Sequence, residues 1–433
     1  MKVVLIAGFL DNEIRKQNVF KKDSPLFQKL VRLFRLPSRV GQLNDHAPWV
    51  RGLISFLETQ DGLELHVIGP QIRLKKCLVE FELRGVKYHF YSSEWASFLR
   101  KLNNYSLWKK LQPIGHKARR IIDKVNPDIV VLSGAENPVT SIAILYADKY
   151  PRYCLCQTVY NNPERSLYST PNKLIQEMEK AIFSNLRCFG VYSKMHYDLL
   201  KAMRPEAYVF KFGFPSRGKL RELVETEKQY DFVNFALMHG SRKGTPDSIQ
   251  ALAIVKKTFP NVSLNIVGGC SEEDLIQLKE LVKSLDLEEN VIFTPFFEKR
   301  SDLFQHVKKS RFAVLPCKLD HISGTMNQSM RMGLPLVVYE TTGTPSFNKE
   351  KECVLIAEKG NVEELAQHML TLMKNPEKAE TLRRNAFEMQ KERLEYTMHN
   401  GERLLANFRA IIDYYRSGTP IPDDQLFNPE IDD

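Results

Sequence analysis

The chain has 433 residues, 43% hydrophobic and 26% charged, a composition that fits a globular protein of two or three domains and excludes fibrous and low-complexity classes. No apolar run approaches the ~20 residues of a bilayer span, and the opening MKVVLIAGFLDNE runs straight into acidic residues, so a cytoplasmic protein without a secretory leader is expected. The net charge of +10 is uneven: residues 1–215 hold 33 Lys and Arg against 19 Asp and Glu, and residues 216–433 hold 29 against 33, which fits a first half that either faces something anionic or carries a solvated basic surface.

In chain order, strand-like runs are expected at Lys2–Gly8, Glu64–Pro70, Val86–Tyr91, Asp128–Gly134, Arg152–Thr158, Cys188–Ser193 and Ala207–Phe214. Helical patterns alternate with several of them, as at Pro48–Thr59, Ile114–Val125 and Thr140–Lys149. Between the first two strands, SPLFQKLVRLFRLPSR (Ser24–Arg39) places Lys29, Arg32 and Arg35 on one side of a broad apolar arc, the pattern of a helix in an anionic membrane interface or of a basic core-facing helix. A charged stretch within Phe214–Gln229 reads as a linker, after which the pattern restarts at Asp231–Met238, Val262–Gly269, Val291–Phe296, Phe312–Cys317, Pro335–Glu340 and Cys353–Ala357. Strands alternating with helices imply an α/β fold with two doubly wound parallel sheets. Past Asn361 the pattern is helical, and the tail TPIPDDQLFNPEIDD is polar and proline-interrupted.

Seven cysteines, Cys77, Cys154, Cys156, Cys188, Cys270, Cys317 and Cys353, lie mostly in apolar runs without zinc spacing, so reduced core residues and no metal are expected. The basic half lacks an aromatic-interleaved module, so nucleic acid is not an expected partner.

The chemistry concentrates in turns that follow strands of the second half. DHISGTMNQSMRMGLP (Asp320–Pro335) is a polar loop running into a helix, where free amides suit a phosphate, with Ser323, Gly324 and Thr325 in the turn and Asp320 and Gln328 eight apart. HGSRKGTPDS (His239–Ser248) sets Arg242 and Lys243 beside Gly244 at another strand-to-helix turn, with His239 or Arg242 available as a second cation. The Gly268-Gly269 pair ends a strand, where positive φ or close backbone approach is needed. Phe296 and Phe297, in PFFEKR after the next strand, read as core residues. In the first half, Glu136 and Asn137 are placed to meet hydroxyls or to cap a helix, and Tyr160 sits in QTVYNNPE after another strand.

Taken together, Lys243-Gly244, the VSLNIVGG strand and the Asp320–Gln328 spacing anchored by GLPLVV resemble the retaining glycosyltransferases of the GT-B fold, family 4, over residues 230–400. The resemblance implies two Rossmann-like domains facing a cleft: 1–215 for the acceptor, 216–395 for the nucleotide-sugar donor, and 396–433 as a last helix and tail that crosses back. It implies transfer with retention from a nucleotide-diphosphate sugar to a glycan or lipid-linked acceptor, as in bacterial surface-polysaccharide synthesis, without a metal or other cofactor. In this frame Asp320 meets the donor sugar, Gln328 the ribose, Lys243 and Arg242 the diphosphate, and Tyr160 the donor sugar in place of the family's usual histidine, with Phe296 and Phe297 as candidates for a wall against the nucleotide base. Gly41 corresponds loosely to the family's first glycine loop. The chain departs from the family where Asp320 and Gln328 replace glutamates and Met238 replaces an arginine. A non-catalytic nucleotide-sugar or glycan binder, and a nucleotide-sugar epimerase of the same fold, remain alternatives.

Overall fold

The structure is a computed structural model that describes residues 1–8, 12–17, 19–21, 48–94, 110–167, 170–215, 226–297, 299–319 and 322–430. The expected Ser24–Arg39 helix, Gly41 and Asp320 lie outside them. The chain divides into two units, Met1–Ser166 with Thr170–Arg217 and Thr397–Asp433, and Gly218–Tyr396 with Leu167–Ser169.

The first unit is built on β1 (Lys2–Ile6), helix α1 (Pro48–Leu57), β2 (Glu64–Gln71), β3 (Leu78–Leu83), β4 (Val86–Ser92), α2 (Gln112–Val125), β5 (Ile129–Leu132), α3 (Pro138–Leu145), β6 (Arg152–Leu155), α4 (Lys173–Asn185), β7 (Cys188–Val191) and β8 (Tyr208–Lys211). Its sheet runs β3-β4-β2-β1-β5-β6-β7-β8. All pairings are parallel except β3 with β4. Continuous apolar strands follow from burial on both faces: Val4, Ile6, Val130 and Leu132 enter one core layer, Val3, Leu5, Ile129 and Val131 the other. β3 is an addition to the expected strands. It hairpins onto β4 through Arg84 and Gly85, both at positive φ, as a two-residue turn of that kind requires.

The second unit holds β9 (Tyr230–Met238), α5 (Thr245–Lys256), β10 (Leu264–Gly269), β11 (Val291–Thr294), β12 (Ser310–Leu315), α6 (Gly324–Arg331), β13 (Leu336–Tyr339) and β14 (Leu355–Ala357). The sheet order is β11-β10-β9-β12-β13-β14, parallel throughout. The last long helix, α7 (Pro376–Ser417), is shared. Ala379 and Leu382 pack in the second unit's core, while Leu404, Phe408 and Ile411 pack in the first unit's, so the chain does return to its first domain.

None of the seven cysteines is in a disulfide, and Cys77 alone among them is exposed. No helix among the described residues is long and apolar enough to cross a membrane.

Candidate active site

In an open parallel sheet the strand order reverses between the first strand and its neighbour on the other side, leaving a crevice beyond their carboxyl ends. In the second unit that point falls between β9 and β12. The two loops singled out in the sequence, at Lys243 and at Ser323, leave those two strands.

After β9 the chain passes Gly240 into a short 3-10 turn, Ser241–Lys243, and Gly244 at φ 66° opens α5. A side chain at Gly244 is excluded twice, by that φ and because a Cβ would lie 2.0 Å from the Pro316 carbonyl oxygen. The 3-10 turn is thereby drawn against the loop after β12: the Lys318 amide donates to the Arg242 carbonyl at 3.0 Å, and the Lys243 ammonium reaches Cys317 Sγ at 3.8 Å. Lys243 and Arg242 are both half-buried.

His239 does not act as the second cation. Its Nε2–H donates to the Val267 carbonyl at 3.0 Å and its Nδ1 accepts from the Thr245 hydroxyl at 3.0 Å. Burial, with Lys243 nearby, holds the ring below its ordinary pKa, so it is neutral at pH 7.

Across the switch point, α6 begins at Gly324 with Ser323 as its N-cap. The Ser323 hydroxyl does not cap the helix but pairs with the Thr325 hydroxyl at 2.7 Å. First-turn amides have no carbonyl in their own helix, so Gly324 and Thr325 present N–H groups at the positive end of a helix dipole. Gln328 is half-buried one turn on.

Beside the turn after β9, a cavity of about 420 Å³ opens over the ends of β10 and β11, lined by His239, Gly268, Gly269, Lys279, Thr294 and Phe296 among others. That size suits a small ligand. The Phe296-Phe297 pair divides its work: Phe296 lines the cavity, whereas Phe297 packs into the core with its ring 5.1 Å from His306. Gly268, at φ 139°, lets β10 pass the Ala236 carbonyl. The structure therefore brings Gly268 and Phe296 to one cavity, and Arg242, Lys243 and Gly244 to the loop edge beside it.

Three residues here escaped the sequence reading. Lys318 Nζ pairs with Asp247 Oδ1 at 2.8 Å, and the Tyr339 hydroxyl donates to Asp247 Oδ2 at 2.8 Å. Lys318 stands two residues before Asp320 and Asp247 three after Gly244, but only the fold shows that they meet.

The first unit reverses its strand order between β1 and β5. The loop after β5 carries Glu136 and Asn137, whose Oε2 and Oδ1 atoms are buried without a hydrogen-bond partner. Asn137 occupies the N-cap position of α3, yet its side chain makes no capping bond, so the helix-cap reading fails. The loop after β6 is fastened by buried Glu179, which accepts from the Tyr160 and Asn161 amides and from Asn161 Nδ2, each at 2.7 Å. The Tyr160 hydroxyl accepts the Asn172 amide at 2.8 Å, and the Arg165 guanidinium lies 4.2 Å from the ring centroid.

Burial, reinforced by Glu179, pushes the Glu136 carboxyl from 4.5 up to about 7, with Arg165 opposing. The folded protein thus holds this proton more tightly than the unfolded chain. The stability contributed is complete below about 4.5 and is lost as pH rises through about 7. Glu136→Gln is expected to flatten the melting temperature across that window and to raise it at pH 8, a result checked by calorimetry at several pH values. An unchanged slope would show that Glu136 is not the group responsible.

Residues 219–389 match the glycosyl transferases group 1 family. An uncharacterized glycosyltransferase of Haemophilus influenzae is 30% identical over 138 residues, 32% of this chain and 38% of that protein, so the matched stretch spans well under half of that curated relative. Among solved structures, a sucrose-phosphate synthase from Thermosynechococcus elongatus superposes with a TM-score of 0.67 at 14% identity, covering 95% of this chain and 99% of its own. Anabaena HepE in complex with UDP and glucose gives 0.58 at 15% identity, covering 83% and 95%. At these identities the likeness concerns the fold, which is GT-B.

Proposed function

Residues 219–389 being a group 1 glycosyl transferase domain, we propose that the protein transfers a sugar from a nucleotide-diphosphate donor to a hydroxyl of a glycan or lipid-linked acceptor, with retention at the anomeric carbon. The observation that carries this reading is that two anion-ready turns leave adjacent strands β9 and β12 at the switch point, with a 420 Å³ cavity beside the first of them.

When the sugar–phosphate bond breaks, negative charge builds on the leaving diphosphate. A cation and backbone amides fixed beforehand stabilise that charge without reorganising. Lys243, with Arg242 beside it, and the amides of Gly324 and Thr325 fill this role. The cavity beside the turn after β9 receives the nucleoside: Phe296 offers a ring face to the base, and neutral His239 stiffens the wall. Gln328 meets ribose hydroxyls, since an amide both donates and accepts. Asp320 meets the donor sugar.

In the first unit, Glu136 and Asn137 offer polar atoms that have no partner of their own, which supports a role in receiving acceptor hydroxyls. A protonated Glu136 donates a hydrogen bond and an ionised one accepts it. Tyr160 keeps a hydroxyl proton to donate to a sugar oxygen while it accepts the Asn172 amide.

UDP is the first donor nucleotide to test, because HepE was solved with UDP and glucose. Calorimetric titration with UDP, GDP and ADP is expected to give binding to one of them. Binding by the wild type without any turnover of the corresponding sugars would favour a non-catalytic binder.

A further inference from the structure

We propose that Lys318 is a positioning residue: through its ion pair with Asp247 it ties the loop after β12 to the first turn of α5, holding the two anion-binding turns in one register. The inference rests on the donor-site reading above and adds a residue pair to it.

The contact joins the two elements that leave the switch point, because Lys318 follows β12 and Asp247 lies on α5 just beyond Lys243-Gly244. Its length is 2.8 Å, with the side chains 17% and 8% exposed. A pair this buried gives back in attraction much of what desolvation costs, so it is a poor source of net stability; its well-attested use is to fix an arrangement. Both carboxylate oxygens are occupied, Oδ1 by Lys318 and Oδ2 by the hydroxyl of fully buried Tyr339 on β13. Asp247 is thus anchored to the sheet and has one oxygen for the loop. Asp247 also stands in the first turn of α5, where a carboxylate favours the helix dipole.

Two further contacts run in parallel with the ion pair. The Lys318 amide donates to the Arg242 carbonyl at 3.0 Å, and Gly244 lies so close to the Pro316 carbonyl that no side chain fits between them. A chain held at its main chain and at its side chain cannot slide by a fraction of an ångström without losing one contact. Such shifts matter, since misplacement of about 1 Å at a reacting centre costs on the order of 100-fold in rate.

The test is the double variant Lys318→Met/Asp247→Leu, which removes the pair without leaving a buried charge. Hydrogen exchange of the position-318 amide, which donates to the Arg242 carbonyl, is compared in wild type and variant together with kcat and KM for the donor that wild type turns over. The expected result is exchange at position 318 faster by on the order of tenfold or more and a fall in kcat/KM on the order of 10- to 100-fold. Unchanged exchange with unchanged kinetics would overturn the proposal. Unchanged exchange with reduced kcat would also overturn it, because Lys318 would then act on the substrate and not through the loop. Faster exchange in a protein whose wild type releases no nucleoside diphosphate from any donor would leave the tie standing and remove the transferase reading instead.

Discussion

Lys243→Ala is expected to lower kcat/KM for the nucleotide sugar by on the order of 10²–10³-fold, the usual cost of deleting one preorganised group from a site where charge develops. The loss should appear chiefly in kcat, since the diphosphate carries more charge as it leaves than it does in the ground state. The fold should survive. Lys243 is only half-buried, on a short turn at the surface of the sheet's carboxyl edge. Lys243→Arg keeps the charge but not the compact ammonium, and is expected to recover part of the rate. Melting temperatures equal to wild type together with wild-type kcat/KM in Lys243→Ala would remove Lys243 from the site.

Gly268→Ala is expected to produce the largest loss of stability among single changes near the cavity, about 3–4 kcal/mol. Two independent penalties act there. The backbone φ of 139° is one that side-chain-bearing residues rarely adopt, and a Cβ would lie 1.8 Å from the Ala236 carbonyl oxygen. Ala236 is the direct partner of Gly268 in the β9–β10 ladder, so relief requires parting two central strands. Gly269→Ala is the internal control. Its added Cβ would meet the Leu237 oxygen at 3.0 Å, and its φ lies outside the strained range, so a smaller loss is expected. Thermal melts of the two variants check the order, and for a unit of this size the Gly268 change corresponds to about 10 °C. Equal melting temperatures would contradict it.

Much of the architecture was legible because a parallel sheet covered on both faces demands uninterrupted apolar strands, and runs such as KVVLI and FAVLPC are of that kind. β3 was not. Its residues LVEFEL alternate between half-buried and exposed, and its turn uses Arg84-Gly85, a less familiar pair than Asn-Gly. The turns at Lys243-Gly244 and Ser323–Thr325 were legible as anion-holding loops because glycine, cation and helix start are local features. What joins them was not, since Lys318 and Asp247 lie 71 residues apart and meet only when β12 settles beside β9. The same limit explains His239. In the sequence it is a spare cation beside Lys243, whereas in the fold both ring nitrogens are bonded and burial keeps it neutral. Asn137 likewise reads as a cap or as a group meeting hydroxyls, and the fold leaves its side-chain Oδ1 buried and unpartnered, making no capping bond.

Under the proposed transfer, the departures at Asp320 and Gln328 are expected to affect the rate. Gln328 retains the capacity to bond ribose without a charge. Asp320 is one methylene shorter than the glutamate of the family the chain resembles.

The most direct test of glycosyl transfer is release of nucleoside diphosphate from a panel of UDP-, GDP- and ADP-sugars in the presence of glycan and lipid-linked acceptors. Release from one nucleotide class, dependent on acceptor and lost in Lys243→Ala, is the predicted result. No release from any donor, or release that persists undiminished in Lys243→Ala, would contradict the account.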